Sequence, residues 1–374
     1  MAGLLTQESL VPQTLRAIGL MSGTSLDGID VAYLETDGEN VVRRGPSATF
    51  HYDDQQQTVL RQALSDATTI TQREQRPGNL AAVERALTQW HAQAVESFCV
   101  QHGLSYSNVD VIGFHGQTVL HKPESRLTVQ LGDGQALANT TKIPVVYDMR
   151  AADVAAGGQG APLVPIYHAA LSPGKPCAFV NIGGVGNVTF IGSNAALLAF
   201  DTGPGNALIN DFMMKHKSVA YDEGGKTCLA GTISKLHLDV ALAHPFFSTK
   251  PPKSLDRNSF ARLDFSDLSL EDSAATLAAF TAHSIAASAK WFDETLKQWI
   301  ICGGGRHNAA IMQGLAKLLP NVISADTIGL SGDSMEAEAW AYLAVRSLKG
   351  LPLTFPGTTG VAHAITGGVL AKPA

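Results

Sequence analysis

The stretch Gly19-Leu20-Met21-Ser22-Gly23-Thr24-Ser25-Leu26-Asp27-Gly28-Ile29-Asp30 joins two apolar runs through a turn of glycine and hydroxyl side chains. Ala17 to Met21 enters the turn, and Ile29-Asp30-Val31-Ala32-Tyr33-Leu34 leaves it with apolar residues alternating. Leu15 to Glu35 therefore reads as strand, turn, strand. A second unit of the same shape begins at Cys177-Ala178-Phe179-Val180. It turns through Asn181-Ile182-Gly183-Gly184-Val185-Gly186-Asn187 and leaves as Val188-Thr189-Phe190-Ile191. Two hairpins of one shape predict an internal duplication.

Between and after the hairpins, strands alternate with helices. A helical region is expected from about Thr58 to Gln101, on the spacing of Leu80, Val83, Leu87 and Trp90. Short strands are expected at Val109–Phe114, Leu127–Leu131, Pro144–Tyr147 and Trp299–Cys302. Further helices are expected from Leu270 to about Lys297, opened by Ser269 with Asp272 three residues on, and from Met335 to Leu348. Ser172-Pro173-Gly174-Lys175-Pro176 is a turn-rich candidate boundary. The pattern predicts an α/β protein of two related domains.

Composition narrows the function classes. The chain has 374 residues, enough for about two domains, with 45% hydrophobic and 16% charged residues. Its formal net charge is −6 with no run of Lys or Arg, which argues against nucleic acid as a partner. Cys99, Cys177, Cys228 and Cys302 are far apart and read as reduced thiols rather than a disulfide frame or zinc site. No secretory signal and no apolar run near the ~20 residues of a membrane span is expected. A cytoplasmic protein without a membrane partner is the plain expectation.

Three glycine-rich turns follow apolar strands: Met21 to Gly28, Asn181 to Asn187, and Gly303-Gly304-Gly305-Arg306-His307-Asn308. Singly each is an ordinary turn; together they suit a nucleotide site. Two hairpin turns offer backbone N–H and hydroxyl groups to phosphates, while the third lies along purine and ribose. None is a G-x-x-x-x-G-K-[ST] loop, and none sits as G-x-G-x-x-G between strand and helix.

In Phe200-Asp201-Thr202-Gly203-Pro204-Gly205-Asn206 a carboxylate leaves a strand into a turn. Asp201 is either a general base or a cap for the helix that starts near Ala207. His115, in Gly113-Phe114-His115-Gly116-Gln117-Thr118, is either structural or functional. Arg150 and Asp153 precede a glycine run, Gly157 to Gly160, that is a hinge or only a loop. Glu336 stands where it can favour a helix dipole.

In combination these motifs resemble the anhydro-N-acetylmuramic acid kinases. The resemblance rests on Gly19 to Asp30, His115 to Thr118, Asp153 to Pro165, Asn181 to Gly184 and Phe200 to Asn206, and spans Ile18 to about Gly368. It implies two ribonuclease-H-like domains, each a mixed sheet flanked by helices, with an ATP cleft between them. The first is expected at residues 1–150, completed by 365–374, and the second at 151–364. Residues 1 to about 14 are an extension without an assigned role.

The resemblance implies ATP and Mg2+ as cofactors and 1,6-anhydro-N-acetylmuramic acid as substrate. The anhydro ring is opened with water and the 6-oxygen phosphorylated, with Asp201 as the base. Nucleotide-binding residues are then Gly23, Thr24, Ser25, Leu26, Asp27, Gly28, Ile29, Asp30, Gly183, Gly184, Gly186, Asn187, Gly303, Gly304 and Gly305. His115, Arg150, Asn206 and Glu336 are the sugar-facing candidates, Arg150 because a guanidinium binds a carboxylate or phosphate in two-pronged fashion. No side chain is assigned to a metal. A homodimer is expected. After Pro251-Pro252-Lys253-Ser254 the chain departs from the family pattern at Leu255-Asp256-Arg257-Asn258. An ordinary sugar kinase of the same superfamily and an ATP-switched chaperone or filament subunit are the alternatives.

Overall fold

Burial along the strands shows which are central. The computed structural model describes residues 14–23, 25–260, 262–332 and 334–374. Its strands are β1 (Leu15–Ser22), β2 (Gly28–Thr36), β3 (Val42–His51), β4 (Val111–Lys122), β5 (Leu127–Leu131) and β6 (Val145–Tyr147). They continue with β7 (Cys177–Ile182), β8 (Val185–Ile191), β9 (Leu197–Pro204), β10 (Gln298–Cys302), β11 (Val322–Ser324) and β12 (Val369–Ala371). Residues 17–20 of β1 and 177–180 of β7 are buried without a break, as strands covered on both faces must be. β3 instead alternates half-buried with exposed residues and carries Pro46, both marks of a sheet edge.

The first sheet runs β12-β6-β4-β1-β2-β3, with β5 beside β4; the second runs β11-β10-β7-β8-β9. β1 is antiparallel to β2 and parallel to β4, which is parallel to β6. In the same way β7 is antiparallel to β8 and parallel to β10, which is parallel to β11. Leaving β5 and β12 aside, each sheet reads 3-2-1-4-5 in order of appearance, with its second strand reversed. That is the ribonuclease-H-like order, and it occurs twice, as the paired hairpins predicted.

Contacts gather the chain into two units. One holds the described residues up to Gly160, with Glu336–Leu353 and Ile365–Ala374; the other holds Ala161–Met335 and Thr354–Ala364. This differs from the expected division at 150/151. The boundary falls ten residues later, Ser172 to Pro176 lies inside the second unit, and the helix Met335–Leu348 belongs almost wholly to the first.

The reason lies in two glycines on neighbouring strands. A Cβ at Gly19 of β1 would stand 1.8 Å from the Ala337 carbonyl oxygen, and one at Gly113 of β4 2.1 Å from that of Trp340. Their missing side chains let the helix backbone rest on the sheet. Glu338 of this helix, 2% exposed, clasps Arg44 of β3 through Nε–Oε2 at 2.8 Å and Nη2–Oε1 at 2.7 Å.

Two helical expectations need correction. The region 58–101 is two helices, Asp54–Asp66 and Leu80–His102, because Pro77-Gly78 between them cannot continue a helix. The helix from Leu270 ends at Ala286 rather than near Lys297, tightening into a 3₁₀ turn over Ala287–Trp291. Trp291 and Phe292 then turn into the second unit's core instead of continuing a helical face. The first unit's core gathers Ile18, Leu20, Val31, Leu87, Phe98 and Ile112.

Gly113→Ala should cost on the order of 1–3 kcal/mol, because the added methyl meets backbone rather than a movable side chain. Chemical denaturation checks this; an unchanged midpoint would contradict the close approach.

Candidate active site

In the second unit, strand register puts three polar side chains in one row. Asn181 of β7 faces Asn187 of β8, and Asn187 faces Asp201 of β9. All three are half-buried between fully buried neighbours. Asp201 thus lies inside its strand, not past its end. Nor is it a helix cap. The helix Ala207–Lys217 begins after Asn206, whose Nδ2 donates to the Ile182 carbonyl at 3.3 Å.

Asp201 is gripped by one segment from two sides. Its N–H donates to the Lys253 carbonyl at 3.0 Å, and the Leu255 N–H donates to its Oδ2 at 2.7 Å. Oδ1 takes no hydrogen bond among the described residues. Burial pushes the carboxyl up to about 6, against the opposing pull of the Leu255 N–H and the Lys253 cation. The departure at Leu255–Asn258 leaves this grip untouched, since Leu255 contributes only its backbone. Arg257 in the same stretch pairs with Asp211 at 2.5 Å.

The expected nucleotide glycines fall into two groups. A Cβ at Gly186 would meet Thr202 Oγ1 at 2.9 Å, at Gly303 Asn181 Oδ1 at 2.2 Å, and at Gly305 Ile182 Cγ2 at 2.2 Å. Packing alone explains those three. Gly183, Gly184 and Gly304 would meet nothing nearer than 3.7, 3.7 and 3.6 Å, and none has a left-handed backbone. The fold does not demand glycine there; a close ligand would. The Gly183 and Gly184 carbonyls accept from the Asn206, Gly205 and Ala207 N–H groups. Their own N–H groups donate to no acceptor among the described residues, which suits an anion.

A cavity of about 470 Å³ opens in this unit, lined by Asn206, Tyr221, Glu223, Gly304, His307 and Asn308 among others. Its size fits a nucleoside. The sequence reading gave no role to the side chains of Asn181, Tyr221, Glu223, His307 and Lys253. The Gly224-Gly225 doublet after Glu223 was the available signal: both glycines are left-handed, and Gly225 packs against Asn308.

In the first unit, the turn from β1 to β2 divides similarly. Thr24 lies outside the described residues. Gly23 has room for a Cβ, with nothing nearer than 3.5 Å, whereas Gly28 is pressed to 2.5 Å from the Phe50 carbonyl oxygen. Leu26 and Ile29 are buried in the core, so only their backbone can serve a ligand. Ser25 and Asp27 are exposed, and Asp30 accepts from Thr49 Oγ1 at 2.5 Å.

β4 runs on through His115 and breaks register against β1 just there. His115 is 5% exposed, and both ring nitrogens are engaged. Nδ1 meets the Ser22 carbonyl at 3.1 Å, and Arg150 donates to Nε2 through Nε at 3.2 Å and Nη2 at 3.1 Å. An arginine only donates, so Nε2 is the acceptor and Nδ1 carries the proton. Burial, with Arg150 adding to it, holds this imidazole neutral well below its ordinary value.

His115 therefore orients Arg150 and keeps no ring nitrogen for a ligand. Arg150 also donates to the Gly160 carbonyl at 2.8 Å and lies over Trp340 at 5.1 Å. Of its five N–H groups two stay free for a ligand. Burial lowers it to about 10, opposed by Glu336 and Asp153, so it stays charged at neutral pH. Glu336 stays within reach of solvent; desolvation by the protein around it raises its carboxyl, Arg150 opposes this and Asp30 adds to it.

Anion-ready glycines beside a nucleoside-sized cavity, with a desolvated carboxylate on the next strand, are the parts of a phosphoryl-transfer enzyme. The family model described as anhydro-N-acetylmuramic acid kinase matches residues 15–373. The anhydro-N-acetylmuramic acid kinase of Rhodopseudomonas palustris (strain ATCC BAA-98 / CGA009) is 53% identical over 365 residues, covering 96% of this chain and 100% of the relative. That of Agrobacterium fabrum is 51% identical over 366 residues, covering 95% and 98%. Among solved structures, the Acidaminococcus fermentans (R)-2-hydroxyglutaryl-CoA dehydratase component A is 10% identical, with TM-score 0.47 over 90% of this chain and 99% of that one. So distant a likeness carries no argument. The chain belongs to the anhydro-N-acetylmuramic acid kinase family, and it is a kinase.

Gly183→Ala and Gly304→Ala should leave the melting temperature within about 2 °C of wild type yet raise the KM for nucleotide several-fold. Gly305→Ala should lower stability instead. Equal melting losses in all three variants would show that packing alone fixes these glycines.

Proposed function

We infer that this kinase uses ATP to open the ring of 1,6-anhydro-N-acetylmuramic acid with water and to phosphorylate the 6-oxygen. The product is N-acetylmuramic acid 6-phosphate, formed in cell-wall turnover. The observation that carries the reading is Asp201: one oxygen pinned by the Leu255 N–H, the other unengaged, and burial raising its carboxyl to about 6. A general base works best with a value near the operating pH.

Water attacks the anomeric carbon as Asp201 takes its proton. The bond from that carbon to the bridging 6-oxygen breaks, and the departing oxygen takes the γ-phosphoryl group, releasing ADP. Phosphoryl transfer thus absorbs the leaving-group charge that a second carboxylic acid handles in ordinary glycoside hydrolysis. Gly183 and Gly184 offer N–H groups to phosphate, and the cavity beside Gly304 suits the nucleoside. Arg150, pinned by His115 and Gly160, offers two N–H groups to the lactyl carboxylate.

Mg2+ would neutralise the β- and γ-phosphates. Among the described residues no group of three or more His, Cys, Asp or Glu side chains is placed to hold a metal. An ion carried in by the nucleotide would find the exposed Asp27 within the first glycine turn. Four buried, unpaired cysteines support a reducing, cytoplasmic setting. The family resemblance supports a homodimer.

In H₂¹⁸O, turnover should place one ¹⁸O at the anomeric carbon, and Asp201→Asn should lower kcat by at least about a hundredfold. The base must be deprotonated, so wild-type kcat/KM should fall as pH drops through about 6. Product without ¹⁸O at that carbon would mean phosphorylation of a free hydroxyl, as in an ordinary sugar kinase.

A further inference from the structure

Lys253 lies in the segment that grips Asp201, and the reaction above gives its side chain no role. While its carbonyl accepts the Asp201 N–H, the side chain turns to other partners. Nζ donates to the Phe246 carbonyl at 2.9 Å and sits over the Phe246 ring at 4.1 Å. The Phe200 and Trp291 rings are 5.8 and 5.9 Å away. Phe200 is the residue directly before Asp201 on β9.

A second lysine is seated beside it. Lys290 Nζ donates to the Phe247 carbonyl at 2.6 Å and lies over Trp291 at 5.0 Å. Two cations thus occupy consecutive carbonyls of one short turn, Pro245–Ser248. Carbonyls and aromatic faces attract cations, but half-buried Lys253 loses hydration and is repelled by the exposed Lys290 beside it. Burial, then Lys290, bring Lys253 down to about 8, and Asp201 alone pulls it back up. An apolar side chain would fill an aromatic cage at lower cost, so packing does not account for a lysine here.

We propose that Lys253 is a positioning residue for Asp201: its caged cation supplies the positive field that keeps this carboxylate charged, while its backbone helps fix the carboxylate's direction. The proposal rests on the reading of Asp201 as the base. Lys253 is the charged side chain acting on Asp201, Lys290 acts on Lys253, and the cross-strand neighbour Asn187 is neutral. No bond is made or broken at Lys253; the proton of the attacking water still goes to Asp201.

The test compares wild type, Lys253→Met and Lys253→Arg in the full chain, with kcat/KM for the anhydro sugar between pH 5 and pH 9 and a melting curve for each. The backbone contacts survive both substitutions. Lys253→Met should move the acidic limb up by about one pH unit, a loss of roughly tenfold at pH 5 that nearly vanishes at pH 9. Lys253→Arg should keep the wild-type limb. An unmoved limb in Lys253→Met, or an equal shift in both variants, would overturn the proposal. If Lys253→Met does not fold, Lys253→Gln, uncharged and polar, makes the same comparison. Asp201→Asn run alongside separates the two readings. If it is inactive while Lys253→Met leaves the limb in place, only the Lys253 proposal falls; if it still turns over, the base reading falls and takes this one with it.

Discussion

The register of β7, β8 and β9 is the constraint on which the chemistry of the second unit depends. A one-residue slip would carry Asn181, Asn187 and Asp201 to the opposite face and bury a charged carboxyl in the core. The Gly183-Gly184 turn and the shift between Gly186 and Asn187 hold that register. Gly303 in turn gives Asn181 its place, since a Cβ there would strike the Asn181 side chain. The same few residues that close the hairpin therefore expose N–H groups to an anion and aim Asp201 away from the core.

The first unit answers the same topology with different chemistry. Its equivalent hairpin turn is tied to β4 by Ser22 Oγ donating to the Gly116 carbonyl and by Gln117 Nε2 donating to the Gly23 carbonyl. His115 at that break in register is spent on orienting Arg150. One fold thus places a desolvated carboxyl on one copy and a fixed cation on the other. Each is kept in an environment that costs free energy, as functional charges are.

Much of this was legible in the sequence, for definite reasons. Both hairpins, the duplicated α/β plan and Asp201 stood out because apolar alternation broken by Gly, Ser and Thr is a local signal. What escaped is non-local. The unit assignment of Met335–Leu348 depends on Gly19 and Gly113 meeting its backbone, and no window of sequence shows that. The split of 58–101 was readable from Pro77-Gly78 and was outweighed by the helical spacing around it. Glycine-rich text alone could not separate Gly183 and Gly304, which have room for a side chain, from Gly186, Gly303 and Gly305, which do not. Lys253 escaped because its cage draws on Phe200, Phe246 and Trp291, far apart in the chain.

Burial raises the Asp201 carboxyl to about 6, and the caged Lys253 cation is proposed to keep it charged. The most direct test is a ¹³C titration of the Asp201 carboxyl, assigned by its absence in Asp201→Asn. A midpoint near 6 is predicted; a midpoint at an ordinary carboxylate value of about 4 would contradict the claim that this site is desolvated and poised as a base.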